Sequence, residues 1–399
     1  MTNPVQDRPP AIVLGRDATG LGALRCLHLA GIPAYVACPP SDLPTRSRWY
    51  RPIPGEIAWD GTIGPQALEI LRSIPLSEAV LIPGADDAAL WLADLPQGEL
   101  TARFKISSSP RHTLEILQDK TRFATFLERT NIPHPRTFPL ASAEDAAAVP
   151  FSEMDRVFVK PSNSQKFNQV IGAKGVWASS HQQLEQIRQR LDGRGFKLMA
   201  QEYVPGTSAD HYFVDGFRDR DGNLTGLFAR RRIRIFPPDF GNSSYCRSIP
   251  LTEIQGAVDS IIELLSRLNY RGIFSAEFKR DARNGQFRVL EVNTRAWWYV
   301  EFAARCGVNV CRMAWEDALG LPVTAAPRSY PVGVGCVNLY GDIKTVLARK
   351  PPARDRFPKV LMQWAGAHFH VFRLDDPAPA WSILRHMIAG NIRRRVFRK

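Results

Sequence analysis

Long apolar runs, cysteine motifs and a surplus of acid are all missing from this chain of 399 residues. No apolar stretch approaches the roughly 20 residues that cross a bilayer, and residues 1–10 are polar and proline-containing, unlike a signal peptide. We therefore expect neither secretion nor a membrane span. The six cysteines are scattered, without a C-x-x-C pair or histidines at metal spacing, so we expect reduced, buried thiols in a cytoplasmic protein.

The shortage of acid leaves a net charge of +13, with arginines clustered at residues 230–234 and 393–395. Such a balance suits nucleic acid, an anionic membrane or an anionic ligand. Zinc-finger spacing and RNP-like aromatic patterns do not accompany the arginines, so we expect no nucleic-acid partner. Hydrophobic residues make up 44% of the chain and charged residues 23%, which is typical of a globular protein with about two to three domains.

Residues 11–37 predict the opening of a doubly wound parallel sheet. A buried strand is followed by a glycine-containing turn, a helix over residues 21–29 and a second strand. The glycines do not follow G-x-G-x-x-G, and no acidic residue stands at the end of the second strand, where it could bind a ribose. A tight turn needed for packing is favoured over a dinucleotide site, which leaves a Rossmann oxidoreductase as the weaker functional alternative. Residues 79–83, followed by Gly84-Ala-Asp-Asp87, predict a later strand and a loop at the edge where such sheets bind ligands.

Two lysines occupy predicted secondary-structure elements. Residues 114–130 predict one amphipathic helix, which contains Asp119-Lys120, and residues 156–160 predict a strand that ends in Lys160. The polar, glycine-containing segment that follows carries Lys174. A lysine at the start of a closing loop can place a charge against phosphates, although lysines in such positions are also commonly just solvated.

Paired acids mark residues 272–293 as a candidate metal hairpin. Residues 272–279 and 287–293 predict two strands joined by a turn, with Glu277 opposite Glu291 and with Asn293 and Arg295 on the face of Glu291. Two facing carboxylates repel unless a cation separates them, and oxygen ligands without Cys or His suit Mg²⁺. The alternative is a surface hairpin with solvated acids.

Alternating arginines mark residues 230–236 as a candidate anion-binding strand. Arg230, Arg232 and Arg234 share one face of the predicted strand, where their three guanidinium groups would repel one another without an anion. A triphosphate or a substrate carboxylate would satisfy them in bidentate fashion. The alternative is a basic edge strand that discourages aggregation.

The motifs in combination resemble the ATP-grasp superfamily, specifically its carboxylate-amine ligases. E-F-K at residues 277–279 and L-E-V-N-x-R at 290–295 are similar to the metal-binding end of that family, D-K-x-x-F at 119–123 to its entry into the nucleotide-binding half, and Q-E-Y-V-P-G at 201–206 to its hinge. The family usually shows N-P-R followed by Trp. Here Thr294 replaces the proline, and Ala296 precedes Trp297 and Trp298.

The resemblance implies ATP with Mg²⁺, as two ions, and a role for each matching residue. The implied metal ligands are Glu277, Glu291 and Asn293, and the implied phosphate contacts are Lys120, Lys160 and Lys174. Adenine is assigned to Glu202, Tyr203 and Val204, and ribose to Asp210, with a turn-capping aspartate as the alternative. Arg232 and Arg234, ahead of Pro237, match the family's K-x-R, and Arg295 is placed to stabilise an oxyanion.

The expected fold class is α/β, an N-terminal doubly wound parallel-sheet domain followed by a two-lobed ATP-grasp fold with antiparallel sheets. The expected domains are residues 1–113, a small lobe at 114–200, a large lobe at 201–322, and an extension at 323–399. The extension ends in a basic amphipathic helix around Trp381 and Leu384, which either docks on its own domain or touches an anionic membrane surface.

The implied function is ATP-dependent joining of a small-molecule carboxylate to an amine through an acyl phosphate, releasing ADP and phosphate. The family implies an amino acid or short peptide as one partner. Aromatic residues 297–299 indicate either a bulky acceptor pocket or packing. The competing interpretation is a nucleotide-binding scaffold that has lost catalysis. Nothing in the sequence indicates an oligomeric state.

Overall fold

The N-terminal unit is built on a parallel sheet, as residues 11–37 predict. The computed structural model describes residues 8–161, 175–237, 241–348 and 356–396, with side chains as far as residue 387. The strands of the first sheet are β1 (Ala11–Leu14), β2 (Ala34–Ala37), β3 (Ala79–Pro83) and β4 (Phe104–Lys105), in the order β2-β1-β3-β4. The helices between them are α1 (Asp17–Leu29), α2 (Pro65–Ser73), α3 (Asp86–Ala93) and α4 (Glu99–Arg103). Every pairing in this sheet is parallel, which requires the helical crossovers.

The glycines after β1 serve close packing. A Cβ atom on Gly20 would lie 2.4 Å from the carbonyl oxygen of Gly15, so the turn and the start of α1 touch backbone to backbone. The N-terminus of α1 is also occupied, because the backbone amide of Asp17 donates to both carboxylate oxygens of Asp42, at 3.1 and 3.2 Å. This geometry favours the packing interpretation over a dinucleotide site, since the amide that would meet a phosphate already faces an anion.

The second unit is an antiparallel sheet with helices beside it. Its strands are β5 (Thr137–Pro139), β6 (Val157–Pro161), β7 (Val176–Ala178) and β8 (Leu198–Glu202), in the order β5-β8-β6-β7. The helices in this part of the chain are α5 (Arg111–Gln118), α6 (Lys120–Arg129), α7 (Ala143–Ala147) and α8 (His181–Leu191). Helices α7 and α8 pack on this sheet, whereas the buried apolar residues of α5 and α6 belong to the core of the large sheet described below. The expectation of one continuous helix over residues 114–130 is wrong, because Asp119 caps a new helix by accepting from the backbone amides of Thr121 and Arg122 at 2.9 Å.

A larger sheet fills the second half of the chain. Its strands are β9 (His211–Arg218), β10 (Leu224–Phe236), β11 (Asn242–Ile249), β12 (Gly272–Arg280), β13 (Phe287–Asn293), β14 (Gly335–Val337) and β15 (Ala367–Phe369). Their order is β13-β12-β9-β10-β11-β14-β15. The pairs from β13 to β14 are antiparallel, and β14 pairs with β15 in parallel. The sheet therefore continues across residue 322 into the C-terminal segment. This α/β architecture, with one parallel and two mainly antiparallel sheets, confirms the predicted fold class.

Helices cover the large sheet and extend it towards the C-terminus. They are α9 (Gln255–Arg267), α10 (Val300–Arg305), α11 (Val310–Ala318), α12 (Leu339–Ala348), α13 (Phe357–Ala365) and α14 (Ala378–Val396). The apolar face of α9, including Val258, Ile261 and Leu265, packs in one core cluster with Phe278 of β12 and Val289 of β13. The helix thus supports the candidate metal hairpin from behind, as its apolar period predicts.

All six cysteines are unbridged and buried, as expected from their scatter. Burial raises the pKa of Cys38 and that of Cys306 to about 12. Across the described part of the chain, no helix combines the length and apolar character needed to traverse a bilayer.

Buried ion pairs tie the C-terminal segment to the rest of the molecule. Arg25 of α1 donates to Asp376 at 2.9 Å and to Glu301 of α10 at 3.1 Å. Arg234 of β10 donates to Asp342 of α12 at 2.7 and 2.8 Å, and both of these side chains are fully buried. Such a pair constrains where the segment docks, because either ion without its partner is costly in the interior.

We predict that Asp342→Ala lowers the melting temperature strongly, because Arg234 loses its carboxylate inside the protein. Breaking a buried pair costs about 3–5 kcal/mol. The double variant Arg234→Met with Asp342→Leu is expected to recover most of the loss. The matched control is Glu263→Ala, which removes an exposed pair with Arg267 and is expected to cost at most about 1 kcal/mol. Differential scanning calorimetry would contradict the role of the pair if Asp342→Ala melted like the control.

Candidate active site

The β12–β13 hairpin brings the predicted acids together. Glu277 lies directly opposite Glu291 in the strand register. The register then shifts, with Phe278 opposite Val289, so Leu290 is the extra residue of a β-bulge. Leu290 and Glu291 both line the same cleft. The bulge thereby places an apolar and an acidic neighbour side by side at the site.

The cleft has a volume of about 630 Å³ and lies between the N-terminal unit and the large sheet. The predicted site residues that line it are Lys120, Arg232, Glu277, Glu291, Asn293 and Arg295. Asp86 and Asp87 from the start of α3 also line it. The loop after β3 therefore contributes to the cleft, as expected for the carboxyl end of a parallel sheet.

Glu277 is held as a carboxylate by two neighbours. Its Oε1 accepts from Nη2 of Arg232 at 3.1 Å and from Nδ1 of His211 at 2.6 Å. Burial alone would raise the pKa of Glu277, but the Arg232 charge and the His211 hydrogen bond together hold this pKa far below its usual range. Because both contacts are to Oε1, a cation in the cleft would be bound by Oε2.

His211 is the contact that the sequence analysis missed. Burial lowers the pKa of its imidazole, outweighing the opposite effect of Glu277, so the ring is neutral near pH 7 and donates through Nδ1. In the sheet, Lys279 of β12 lies beside His211 of β9. Alternation along a strand that begins at residue 211 could have indicated which face His211 occupies. The sequence does not show that this strand pairs with β12, so the contact with Glu277 could not be predicted.

A chain of polar contacts runs from Glu291 to the N-terminal unit. Oε1 of Glu291 accepts from Nδ2 of Asn293 at 3.4 Å, and Oδ1 of Asn293 accepts from Arg295 at 3.1 Å. Arg295 also donates to both carboxylate oxygens of Asp86, at 2.9 and 3.4 Å. The guanidinium is therefore oriented at the cleft by a residue more than two hundred positions away.

The hairpin acids fit a hard divalent cation. Glu277 stays ionised, Glu291 is exposed at the cleft, and the Asn293 amide lies beside it. Among the described residues, no three His, Cys, Asp or Glu side chains form a complete metal cage. Two carboxylates and one amide are instead the partial, oxygen-only set that Mg²⁺ accepts when phosphate oxygens and water supply the remainder.

The arginine strand differs from expectation. The β10–β11 register shifts between Arg232 and Arg234, and each arginine of the predicted face has its own carboxylate inside the protein. Arg230 donates to Asp215 at 2.7 Å, Arg232 to Glu277, and Arg234 to Asp342. The placement of Arg234 in the cleft is wrong, because it is fully buried against the C-terminal segment. Arg230 and Arg232 do line the cleft.

The predicted hinge residues make contacts that hold the fold together. The buried carboxylate of Glu202 accepts from Arg283 at 2.6 Å and from the backbone amide of Arg136 at 3.1 Å. The backbone amide of Tyr203 donates to the carbonyl oxygen of Arg156 at 3.1 Å. Val204 is buried. These contacts join the small sheet to the turn between β12 and β13.

Asp210 occupies the turn-capping position that was the alternative to ribose binding. Its Oδ2 accepts from the backbone amide of Thr207 at 2.6 Å and from the Thr207 hydroxyl at 2.8 Å. Its Oδ1 lies 3.9 Å from Nη2 of Arg231. Oδ2 of Asp210 therefore caps the short helix that follows β8.

Lys120 lines the cleft and also a small pocket that includes Lys160, Gln201 and Leu290. Nζ of Lys160 donates to Oε1 of Gln201 at 2.7 Å, and Nζ of Lys120 lies 3.5 Å from the carbonyl oxygen of Pro161. Lys174 falls outside the described residues.

Lys279 is a second residue near the site to which the sequence analysis gave no role. It is buried, with Nζ 4.5 Å from the ring centre of Tyr203. Burial lowers the pKa of Lys279 to about 8, even though Asp210 favours the charged form. The E-F-K motif held the signal, because alternation puts residues 277 and 279 on one face.

Aromatic side chains form the remaining wall of the cleft. Trp297, Trp298 and Tyr299 all line it, while Trp297 and Tyr299 are also packed into the core. His370 of the C-terminal segment contacts the carbonyl oxygen of Trp298 at 2.5 Å. The same residues therefore line the cleft and pack into the core.

Sequence comparison finds distant relatives. No family model matches the chain. The chain is 22% identical over 251 residues to a D-aspartate ligase of Enterococcus faecium, covering 60% of this chain and 59% of the relative. It is 23% identical over 348 residues to the carbamoyl phosphate synthase large chain of Thermoanaerobacter pseudethanolicus, covering 79% of this chain and 29% of the relative. The chain thus spans less than two thirds of the length of these relatives.

Solved structures share the fold at low identity. The biotin carboxylase domain of a Hydrogenobacter thermophilus 2-oxoglutarate carboxylase, in complex with MgADP, ADP and bicarbonate, has a TM-score of 0.62 at 14% identity and covers 82% of this chain and 73% of its own. An L-amino acid ligase from Bacillus licheniformis has a TM-score of 0.54 at 14% identity, with 78% and 74% covered. The chain therefore shares the fold of these solved structures, which is the ATP-grasp fold expected from the sequence.

Proposed function

We propose that this protein is an ATP-dependent ligase that joins a carboxylate to an amine and releases ADP and phosphate. The observation that carries the proposal is the pair Glu277 and Glu291, opposed on neighbouring strands and accompanied by Asn293 and Arg295 in one cleft. A D-aspartate ligase among the sequence relatives and an L-amino acid ligase among the structural neighbours support it. We propose amino acids or short peptides as substrates on the same ground.

Magnesium would be held by Glu277, Glu291 and Asn293, and it would supply positive charge where the terminal phosphates of ATP become more negative. We propose two ions. Lys120 and Lys160 would contact phosphates, and Lys174 is retained as a proposed contact from the sequence motif. Arg232 would have a double role in this arrangement, because it would contact the phosphates while its charge lowers the pKa of Glu277.

The nucleotide base and sugar are assigned to the hinge. Glu202, Tyr203 and Val204 would border adenine through backbone groups, since the Glu202 carboxylate is already paired with Arg283. Asp210 remains the proposed ribose contact, through the oxygen that does not cap Thr207. Lys279, beside Tyr203, adds positive charge between the hinge and the acids.

The proposed chemistry has two steps and needs no protein nucleophile. An oxygen of the substrate carboxylate attacks the γ-phosphorus of ATP, and the bond to ADP breaks to leave an acyl phosphate. The nitrogen of the amine then attacks the acyl carbon, loses a proton, and expels phosphate. Arg295, which donates to Asp86, would stabilise the negative charge that forms on the carbonyl oxygen during this attack. Arg234 has no place in this scheme.

The partners that we propose are small molecules, without nucleic acid, in a cytoplasmic setting. A weak contact of the C-terminal basic helix with a membrane surface remains part of the proposal. An ADP-release screen over pairs of amino acids, followed by mass spectrometry of the products, tests the function. Nucleotide binding without ADP release from any pair would favour the inactive scaffold instead.

We predict that Glu291→Gln folds normally and loses most turnover. The side chain is exposed at the cleft, so its replacement leaves packing intact, while the loss of one carboxylate weakens magnesium and phosphate positioning by roughly 10²-fold or more in kcat. The control is Glu128→Gln, an exposed acid of α6 outside the cleft. Coupled ADP-release assays and calorimetric melting measure both effects. Undiminished ADP release by the Glu291 variant would refute the metal assignment.

We predict that Arg295→Met binds ATP with magnesium as the parent does, but forms product roughly 10²–10³-fold more slowly, because an oxyanion donor acts in the transition state. Asp86→Asn is expected to shift activity in the same direction and less severely, since it only orients the guanidinium. Arg267→Met on the exposed face of α9 is the matched control. Isothermal titration calorimetry and product formation separate the two effects. Loss of nucleotide affinity with an unchanged kcat would assign Arg295 to binding instead.

A further inference from the structure

Exposed apolar side chains are concentrated in the C-terminal segment of the chain. Of the fourteen large apolar residues that the described part of the chain exposes, eleven lie between residues 332 and 384. Single exposed apolar residues need no explanation on a protein surface, but a group of them marks an interaction site. The two helices α12 and α13 hold most of the group.

Helix α12 has one face in the sheet and one in solvent. Leu339, Ile343 and Leu347 follow one another at four-residue steps and are exposed, Leu347 by 66%. The opposite side of the helix holds the buried Asp342, whose carboxylate accepts from Arg234 of β10. The exposed ridge is therefore fixed in place by a buried ion pair.

Helix α13 repeats this arrangement next to α12. Phe357 and Leu361 are four residues apart and exposed, and Met362 is exposed by 77%. The indole of Trp364 donates to Asp342 at 2.7 Å, so the two helices are direct neighbours. We call the exposed side chains of the two helices the α12–α13 face; its apolar members are Leu339, Ile343, Leu347, Phe357, Leu361 and Met362.

The same part of the chain carries most of the positive charge. Residues 323–399 contain fourteen Lys and Arg and four Asp, a net of +10 out of +13 for the protein. Asp342, which faces inward, is the acid within α12 and α13, and their lysines, Lys344 and Lys359, are exposed. The exposed Asp375 is paired with Arg373 at 2.6 Å. Among the described side chains, the exposed surface of the two helices thus combines apolar residues with the cations Lys344, Arg356 and Lys359.

We propose that the α12–α13 face docks on an anionic lipid surface. Apolar side chains would enter the boundary between headgroups and acyl chains, while the surrounding lysines and arginines meet anionic headgroups. A second copy of this chain fits less well, because two segments of net charge +10 would be brought together. Nucleic acid would match the charge but leave Ile343, Leu347 and Met362 in water. The proposal is independent of the ligase chemistry.

The test is flotation of the full chain with vesicles of two compositions. We expect binding to vesicles of phosphatidylcholine mixed with an equal amount of phosphatidylglycerol, little binding to phosphatidylcholine alone, and weaker binding as salt is raised. The variant Ile343→Ser with Leu347→Ser and Met362→Ser is expected to bind at least roughly tenfold more weakly, because three inserted side chains are lost. The control, Leu29→Ser with Ile262→Ser, replaces exposed apolar residues elsewhere and should bind like the parent.

Three results would overturn the proposal. One is equal or absent flotation with the two vesicle types, and another is parental binding by the triple variant. The third is a concentration-dependent dimer in light scattering that the triple variant abolishes, which would assign the face to a second copy. The melting temperature of each variant confirms folding. If the triple variant melts early, the single change Met362→Ser keeps the test valid, because that side chain lies almost wholly in solvent.

Discussion

A carboxylate that stays charged inside the protein is the constraint on which the site depends. The side chain of Glu277 is only 16% exposed, and burial by itself would raise its pKa. Arg232 and His211 reverse that tendency through contacts to one oxygen, which leaves the other for a cation. Three strands, β9, β10 and β12, must therefore pair in the observed order before the acid of the hairpin is held as a carboxylate at the cleft.

Arginine strand β10 connects this site to the rest of the fold. Its alternate arginines each meet a different carboxylate, so the strand links the cleft to the core at Asp215 and to the C-terminal segment at Asp342. Pairs of this kind contribute little net stability compared with apolar packing, but they penalise every arrangement in which a partner is missing. They therefore select the docking position of the C-terminal segment, and with it the direction in which the α12–α13 face points.

The N-terminal unit is part of the site and not only a neighbour of it. Asp86 orients Arg295 from the first turn of α3, while the buried network of Arg25, Glu301 and Asp376 holds α1, α10 and the C-terminal segment together. The aromatic wall is supported in a similar way, because His370 contacts the backbone of Trp298. A substrate in this cleft would touch residues from distant parts of the chain, which is why its identity depends on their relative placement.

Local sequence determined the elements and the hairpin that carries the two acids. Apolar period and turn residues specify the parallel sheet, the helix α9 and the β12–β13 hairpin, because these features depend on neighbours a few residues apart. The direct opposition of Glu277 and Glu291 depends in addition on the bulge at Leu290, because the register of Phe278 and Val289, if continued, would pair Glu277 with Leu290. Only the tertiary structure decided which carboxylate each arginine of β10 pairs with, that His211 contacts Glu277, and that Asp86 is the partner of Arg295. Each of these depends on a long-range contact or on a bulge that shifts register, and alternation along a single strand carries no information about which carboxylate another strand will bring.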